Sequence, residues 1–167
     1  MSEIDALKEV VSPAILKRAA AVSERLRELE IPHALVGGLA VGIHGHPRAT
    51  RDVDVMVGEE AFASLAPVLV YREELVDLAR TGSTDIMCIP ESYPGLADEL
   101  RLGDDIPVIS LRGLILLKLD AFRARDREDV RALLGRAPDR VLGVRDYLQA
   151  HAPELVHRLS EVLANSF

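Results

Sequence analysis

The run Asp52 to Val57, Asp-Val-Asp-Val-Met-Val, constrains this chain more than any other part of it. Apolar and polar positions alternate there as in a strand with one buried face. Val53, Val55 and Val57 share the face that seeks a core, and Asp52, Asp54 and Met56 share the other. Two carboxylates on one strand face repel each other, so the pair is favourable mainly where a divalent cation neutralises it. Mg²⁺ is the natural candidate, because it takes few protein carboxylates and completes its shell with water and phosphate oxygens.

The segments around this strand set its context. Ser12 and Pro13 predict a helix start, as N-cap and first helical residue. Ile15, Ala19, Val22, Leu26 and Leu29 follow as one apolar stripe, with Lys17, Arg18, Glu24, Arg25 and Glu28 on the opposite face. Ala34-Leu35-Val36 reads as a short buried strand running into Gly37-Gly38, then a short helix from Leu39 to His44 that Gly45-His46-Pro47 breaks. Without Cβ atoms, Gly37 and Gly38 let a phosphate approach the backbone, and the helix that follows turns its free N–H groups toward it. Glu59 to Leu69 predicts a helix, and Leu75 to Ala79 fits strand or helix equally. Thr84 to Ile89 predicts a strand with Asp85, Met87 and Ile89 on one face. Pro107-Val108-Ile109 reads as a short strand, and Ser110 caps a helix from Leu111 to Arg123. Further helices divide near Arg136-Ala137-Pro138 and Ala152-Pro153. The fold class expected is α/β (α+β), a small mixed β-sheet flanked by helices with a helical C-terminal segment.

Gly37-Gly38, thirteen intervening residues, Asp52-Val53-Asp54 and a later strand carboxylate, Asp85, together resemble the nucleotidyltransferase superfamily with the DNA polymerase β-like fold. The run Arg48-Ala49-Thr50-Arg51-Asp52-Val53-Asp54 is similar to the version in small bacterial members, which include antibiotic-modifying enzymes and toxins of toxin–antitoxin pairs. Lys118, Arg125, Asp126 and Asp129 match a later block of the toxin-like group. The resemblance covers about residues 30 to 135 of a single domain, 1–167, and leaves a helical cap from about 136 to 167.

This resemblance implies transfer of a nucleoside monophosphate from a nucleoside triphosphate (NTP) to an acceptor hydroxyl. Asp52 and Asp54 would hold Mg²⁺, and Asp85 would bind a second ion or act as general base. Gly37 and Gly38 would hold the phosphates, Thr50 would bond a backbone or nucleotide group, and Arg48 or Lys118 would add positive charge. The acceptor stays open among a tRNA end, a protein hydroxyl and a small molecule, and an antitoxin is the partner implied.

Composition narrows the alternatives. Net charge is −7, which argues against coating a nucleic-acid duplex, yet Arg112 to Arg136 carries seven Lys/Arg against four Asp/Glu. A local basic segment suits a phosphate ligand or an acidic partner. Aromatic residues are 4% with no Trp, which excludes base stacking on aromatic platforms, and the single Cys88 excludes a disulfide framework. No run approaches the ~20 apolar residues of a membrane span, so a soluble, cytoplasmic protein is expected. His44 and His46 lack a third ligand and read as loop residues, and Arg123 to Arg131 reads as a solvated helix with Arg125–Asp129 pairing. A second reading keeps the same fold as a catalytically silent nucleotide-binding or protein-interaction module.

Overall fold

The structure, a computed structural model, describes residues 2–64, 68–80 and 82–164. They form two compact units, one of the residues up to Ile43 with Pro47–Ile109, the other of His44–His46 with Ser110 onward. The main division falls at Ile109–Ser110.

In the first unit, α1 (Pro13–Glu28) begins where Ser12 accepts the Ile15 N–H, with Pro13 as first helical residue. Its stripe residues Ala19, Val22 and Leu26 are fully buried. There follow β1 (His33–Leu35), α2 (Gly37–Ile43), β2 (Val53–Val57), β3 (Phe62–Ser64), β4 (Val70–Tyr71), α3 (Glu73–Arg80) and β5 (Thr84–Cys88). The main sheet is mixed, in the order β1-β2-β5, with β1 antiparallel and β5 parallel to the central β2. Val53, Val55 and Val57 enter a core with Leu26, Ile31, Leu35 and Leu39, as their alternation requires. The strand expected at Pro107-Val108-Ile109 reduces to a bridge, in which Leu35 N–H donates to the Pro107 carbonyl and Ile109 N–H to the Leu35 carbonyl.

The helix expected from Glu59 to Leu69 does not form over its described part. A single 3₁₀ turn, Glu59–Ala61, leads into β3, which pairs with β4; residues 65–67 lie outside the described set. Phe62 stacks on Tyr71 across that pair with ring centroids 4.8 Å apart. Cross-strand aromatic pairing overrides a local sequence pattern that suits a helix. The segment open between strand and helix, Leu75 to Ala79, lies within α3.

His33 on β1 is 1% exposed, and both ring nitrogens are used. Nδ1 lies 2.9 Å from the Ile31 carbonyl and Nε2 2.7 Å from Ser23 Oγ. A carbonyl only accepts, so Nδ1 carries the proton and Nε2 accepts from the serine hydroxyl. Burial holds the imidazole below its ordinary value, against the Ile31 carbonyl, which favours the charged ring. A lowered histidine binds its proton later than the unfolded chain does. Stability therefore falls as pH drops below about 6.5 and levels off once the folded ring is charged. Thermal melts from pH 8 to pH 5 are expected to show this slope, and His33→Asn to flatten it while lowering stability throughout.

The second unit holds α4 (Leu111–Ala121), α5 (Ala124–Leu134), α6 (Pro138–His151) and α7 (Val156–Ala164). Ser110 caps α4 by accepting the Gly113 N–H at 3.2 Å. Phe122 ends that helix in the left-handed region at φ +51, and the Arg127 and Arg158 guanidinium groups lie 5.2 and 5.0 Å from its ring centre. The breaks at Pro138 and Pro153 fall where the sequence predicts them. No helix among the described residues is long and apolar enough to cross a membrane.

The solvated α5 is corrected by the structure. Asp126 and Asp129 are buried, and both carboxylates hold the Lys118 ammonium of α4, at 3.0 and 2.9 Å. Arg123 Nε adds a third cation contact, 2.9 Å from Asp126. Buried charges require partners, and a lysine set among the leucines of α4 supplies one from the neighbouring helix.

Candidate functional site

Strand pairing does most of the assembly. β2 and β5 run parallel in the register Val53 to Thr84 and Asp54 to Asp85, and register partners in a sheet project from the same face. Asp54 and Asp85 therefore stand side by side on the face opposite the valine core, Asp54 half-buried and Asp85 exposed. Asp52 precedes the strand and is exposed. Thr50 Oγ1 donates to the Asp52 backbone carbonyl at 3.4 Å.

The Gly-Gly pair abuts this face. Gly37 begins α2 at φ +62, and a Cβ built there would overlap the Asp54 carboxylate. A Cβ on Gly38 would lie 2.7 Å from Thr50 Oγ1 and 3.3 Å from Arg48 Nη1. Gly37, Gly38, Arg48, Thr50, Asp54 and Asp85 thus come together within the first unit, with Asp52 at its margin. Lys118 belongs to the second unit, where its ammonium is committed to Asp126 and Asp129.

Two carboxylates are a sufficient protein donor set for Mg²⁺, whose remaining ligands are water and substrate phosphate oxygens. Hard oxygen donors fit that ion, and no sulfur or imidazole competes within the pair. Among the described residues, no three His, Cys, Asp or Glu side chains are gathered into one metal-ligating group. Asp54 and Asp85 are the register pair, and Asp52 lies two residues before Asp54, just ahead of the strand.

Gly37 gives the sharpest structural test. Alanine at a left-handed position costs about 1–2 kcal/mol in backbone energy alone, before its methyl displaces Asp54. Gly37→Ala is expected to lower the melting temperature by roughly 2–4 °C for each kcal/mol lost, read by circular dichroism. Gly143→Ala should do the opposite. That glycine lies inside α6 with open space around its Cβ position, so alanine gains roughly 0.5–1 kcal/mol.

Two features here escape sequence reasoning. Arg18, on the polar side of α1, donates from Nε to Thr84 Oγ1 at 2.9 Å and from Nη2 to the Leu78 carbonyl at 3.2 Å. Gly82 and Ser83 both adopt positive φ, +75 and +55, just before β5. The Gly82-Ser83 pair was a readable turn signal. Nothing in the sequence ties Arg18 to it. No protein-family model matches the chain, and no curated protein matches it.

Proposed function

We propose that the chain is a Mg²⁺-dependent nucleotidyltransferase of the DNA polymerase β-like type, acting on a nucleoside triphosphate and an acceptor hydroxyl. One observation carries this reading: Asp54 and Asp85 share one sheet face, with the Gly37-Gly38 backbone packed against Asp54 and the Arg48 and Thr50 side chains. Like charges placed side by side repel, and a bound cation would relieve that repulsion.

Asp54 and Asp85, with Asp52 beside them, would hold Mg²⁺. When bound, that ion neutralises charge developing on the leaving pyrophosphate. The lack of a Cβ at Gly37 and Gly38 lets Asp54, Thr50 and Arg48 pack directly against their backbone, and Arg48 would add a cation toward the phosphates. In the transfer, the acceptor oxygen bonds to the α-phosphorus while the bond from that phosphorus to the β-bridging oxygen breaks, releasing pyrophosphate. Asp85, the more exposed of the pair, takes the acceptor's proton. Most of the rate would come from positioning and electrostatics. The toxin of a toxin–antitoxin pair is the biological setting that the Arg-x-Thr-x-Asp-x-Asp run favours.

Calorimetric titration of the protein with each NTP, with and without Mg²⁺, tests the reading. Binding that requires Mg²⁺ and is lost in the folded Asp52→Asn, Asp54→Asn double variant supports it. No binding at millimolar triphosphate overturns it in favour of the interaction module.

A further inference from the structure

We infer that Arg18 is a positioning residue for Asp85, setting it beside Asp54 from the opposite face of the sheet; this rests on the nucleotidyltransferase reading above. The connection from α3 to β5 turns through two successive left-handed residues, Gly82 and Ser83. Ser83 carries a side chain at φ +55, a conformation that persists only where its surroundings hold it. Three contacts hold this one. Val53 N–H donates to the Ser83 carbonyl at 2.7 Å, Thr84 Oγ1 donates back to the Gly82 carbonyl at 3.5 Å, and Arg18 Nε donates to Thr84 Oγ1.

Arg18 also donates to the Leu78 carbonyl in the last turn of α3, so one guanidinium grips both ends of the connection. Thr84 is 5% exposed and is the residue directly before Asp85. Side chains alternate along a strand, and a slip of one residue at Thr84 would carry Asp85 to the core face. Arg18 thus fixes the register on which the carboxylate pair depends. A planar guanidinium suits the task because it aims separate N–H groups at two acceptors, whereas a lysine can satisfy one at a time.

The test is a Mg²⁺ titration by calorimetry at fixed ATP, GTP, CTP or UTP. Wild type, Arg18→Met, Arg18→Lys, Thr84→Val, Asp85→Asn and the Arg18→Met, Asp85→Asn double variant are compared well below their melting temperatures. Supporting groups behind a metal site typically change its affinity by about 10–100-fold, so Arg18→Met should raise the Mg²⁺ concentration for half-saturation by at least about tenfold. Arg18→Lys should restore part of the loss. Thr84→Val, which removes the acceptor and keeps the volume, should reproduce it even where Arg18→Met folds poorly. The double variant should be no weaker than Asp85→Asn alone, because both changes act through one carboxylate. Unchanged Mg²⁺ affinity in Arg18→Met and Thr84→Val, or losses that add in the double variant, overturns the assignment and leaves Arg18 a structural strut. A wild type without Mg²⁺-dependent binding overturns the nucleotidyltransferase reading itself, and the positioning role with it.

Discussion

Asp54→Asn is expected to lower Mg²⁺-dependent triphosphate binding, and any transfer that follows, by about 100-fold or more while the protein stays folded. The substitution keeps the shape of the side chain and removes its charge. In the ligand-free protein it also removes repulsion with Asp85, the register partner on β5. Like charges directly opposite in a sheet cost a few tenths of a kcal/mol, so the melting temperature should stay within roughly 2–4 °C of wild type. Calorimetry and circular dichroism on one preparation read both quantities. Full Mg²⁺-dependent binding in the variant would sink the proposed chemistry. Lost binding accompanied by a collapse in melting temperature would show Asp54 to be a structural carboxylate.

Lys118→Met should have the largest effect on stability. It leaves two carboxylates, Asp126 and Asp129, each under 5% exposed, without their shared cation. Breaking a buried ion pair from one side costs about 3–5 kcal/mol, which in a chain of this length lowers the melting temperature by roughly 10 °C. Arg123 offsets little of this, because its side chain is 79% exposed. Adding Asp126→Asn and Asp129→Asn to the same chain should recover much of the loss, since uncompensated charge is the cause.

The deficit also has a pH signature. Burial raises the Asp126 carboxyl, but bonds from Arg123 and Lys118 outweigh it and leave it below the ordinary carboxylate range. Its contribution is therefore complete above about pH 4 and lost as pH falls through the lowered folded value. The gap between wild type and Lys118→Met should be widest near neutrality and close in acid. A gap that is constant with pH would mean that Lys118 contributes packing rather than charge.

Legibility in the sequence divides along physical lines. The alternation of Asp52 to Val57 identified β2 and its two faces, because a period of two leaves a strand one way to bury its valines. Asp85 was found by the same alternation in Thr84 to Ile89, although which strand it joins was not readable. Ser12, Ser110, Pro138 and Pro153 announced helix ends through local backbone chemistry that tertiary contacts left intact. Glu59 to Leu69 misled because its apolar spacing suits a helix, whereas Phe62 finds Tyr71 only after the chain has turned back. Lys118 was expected at a phosphate because a basic residue in a family-like block invites that reading. Its partners Asp126 and Asp129 lie one helix away, and the leucines flanking it were the available sign of burial. Arg18 was assigned to solvent by the helical period, which places a side chain on a face and says nothing of its reach.

The parallel pairing of β2 with β5 has a kinetic consequence. Asp54 and Asp85 are thirty-one positions apart in the chain, and a parallel pair cannot be closed by a tight hairpin. The whole segment through β3, β4 and α3 must be threaded before the carboxylates meet, and the closure entropy is spent before any contact rewards it. The helices of the second unit close through shorter loops and need no such wait. During synthesis or refolding, helical structure should therefore accumulate before Asp54 and Asp85 are brought together.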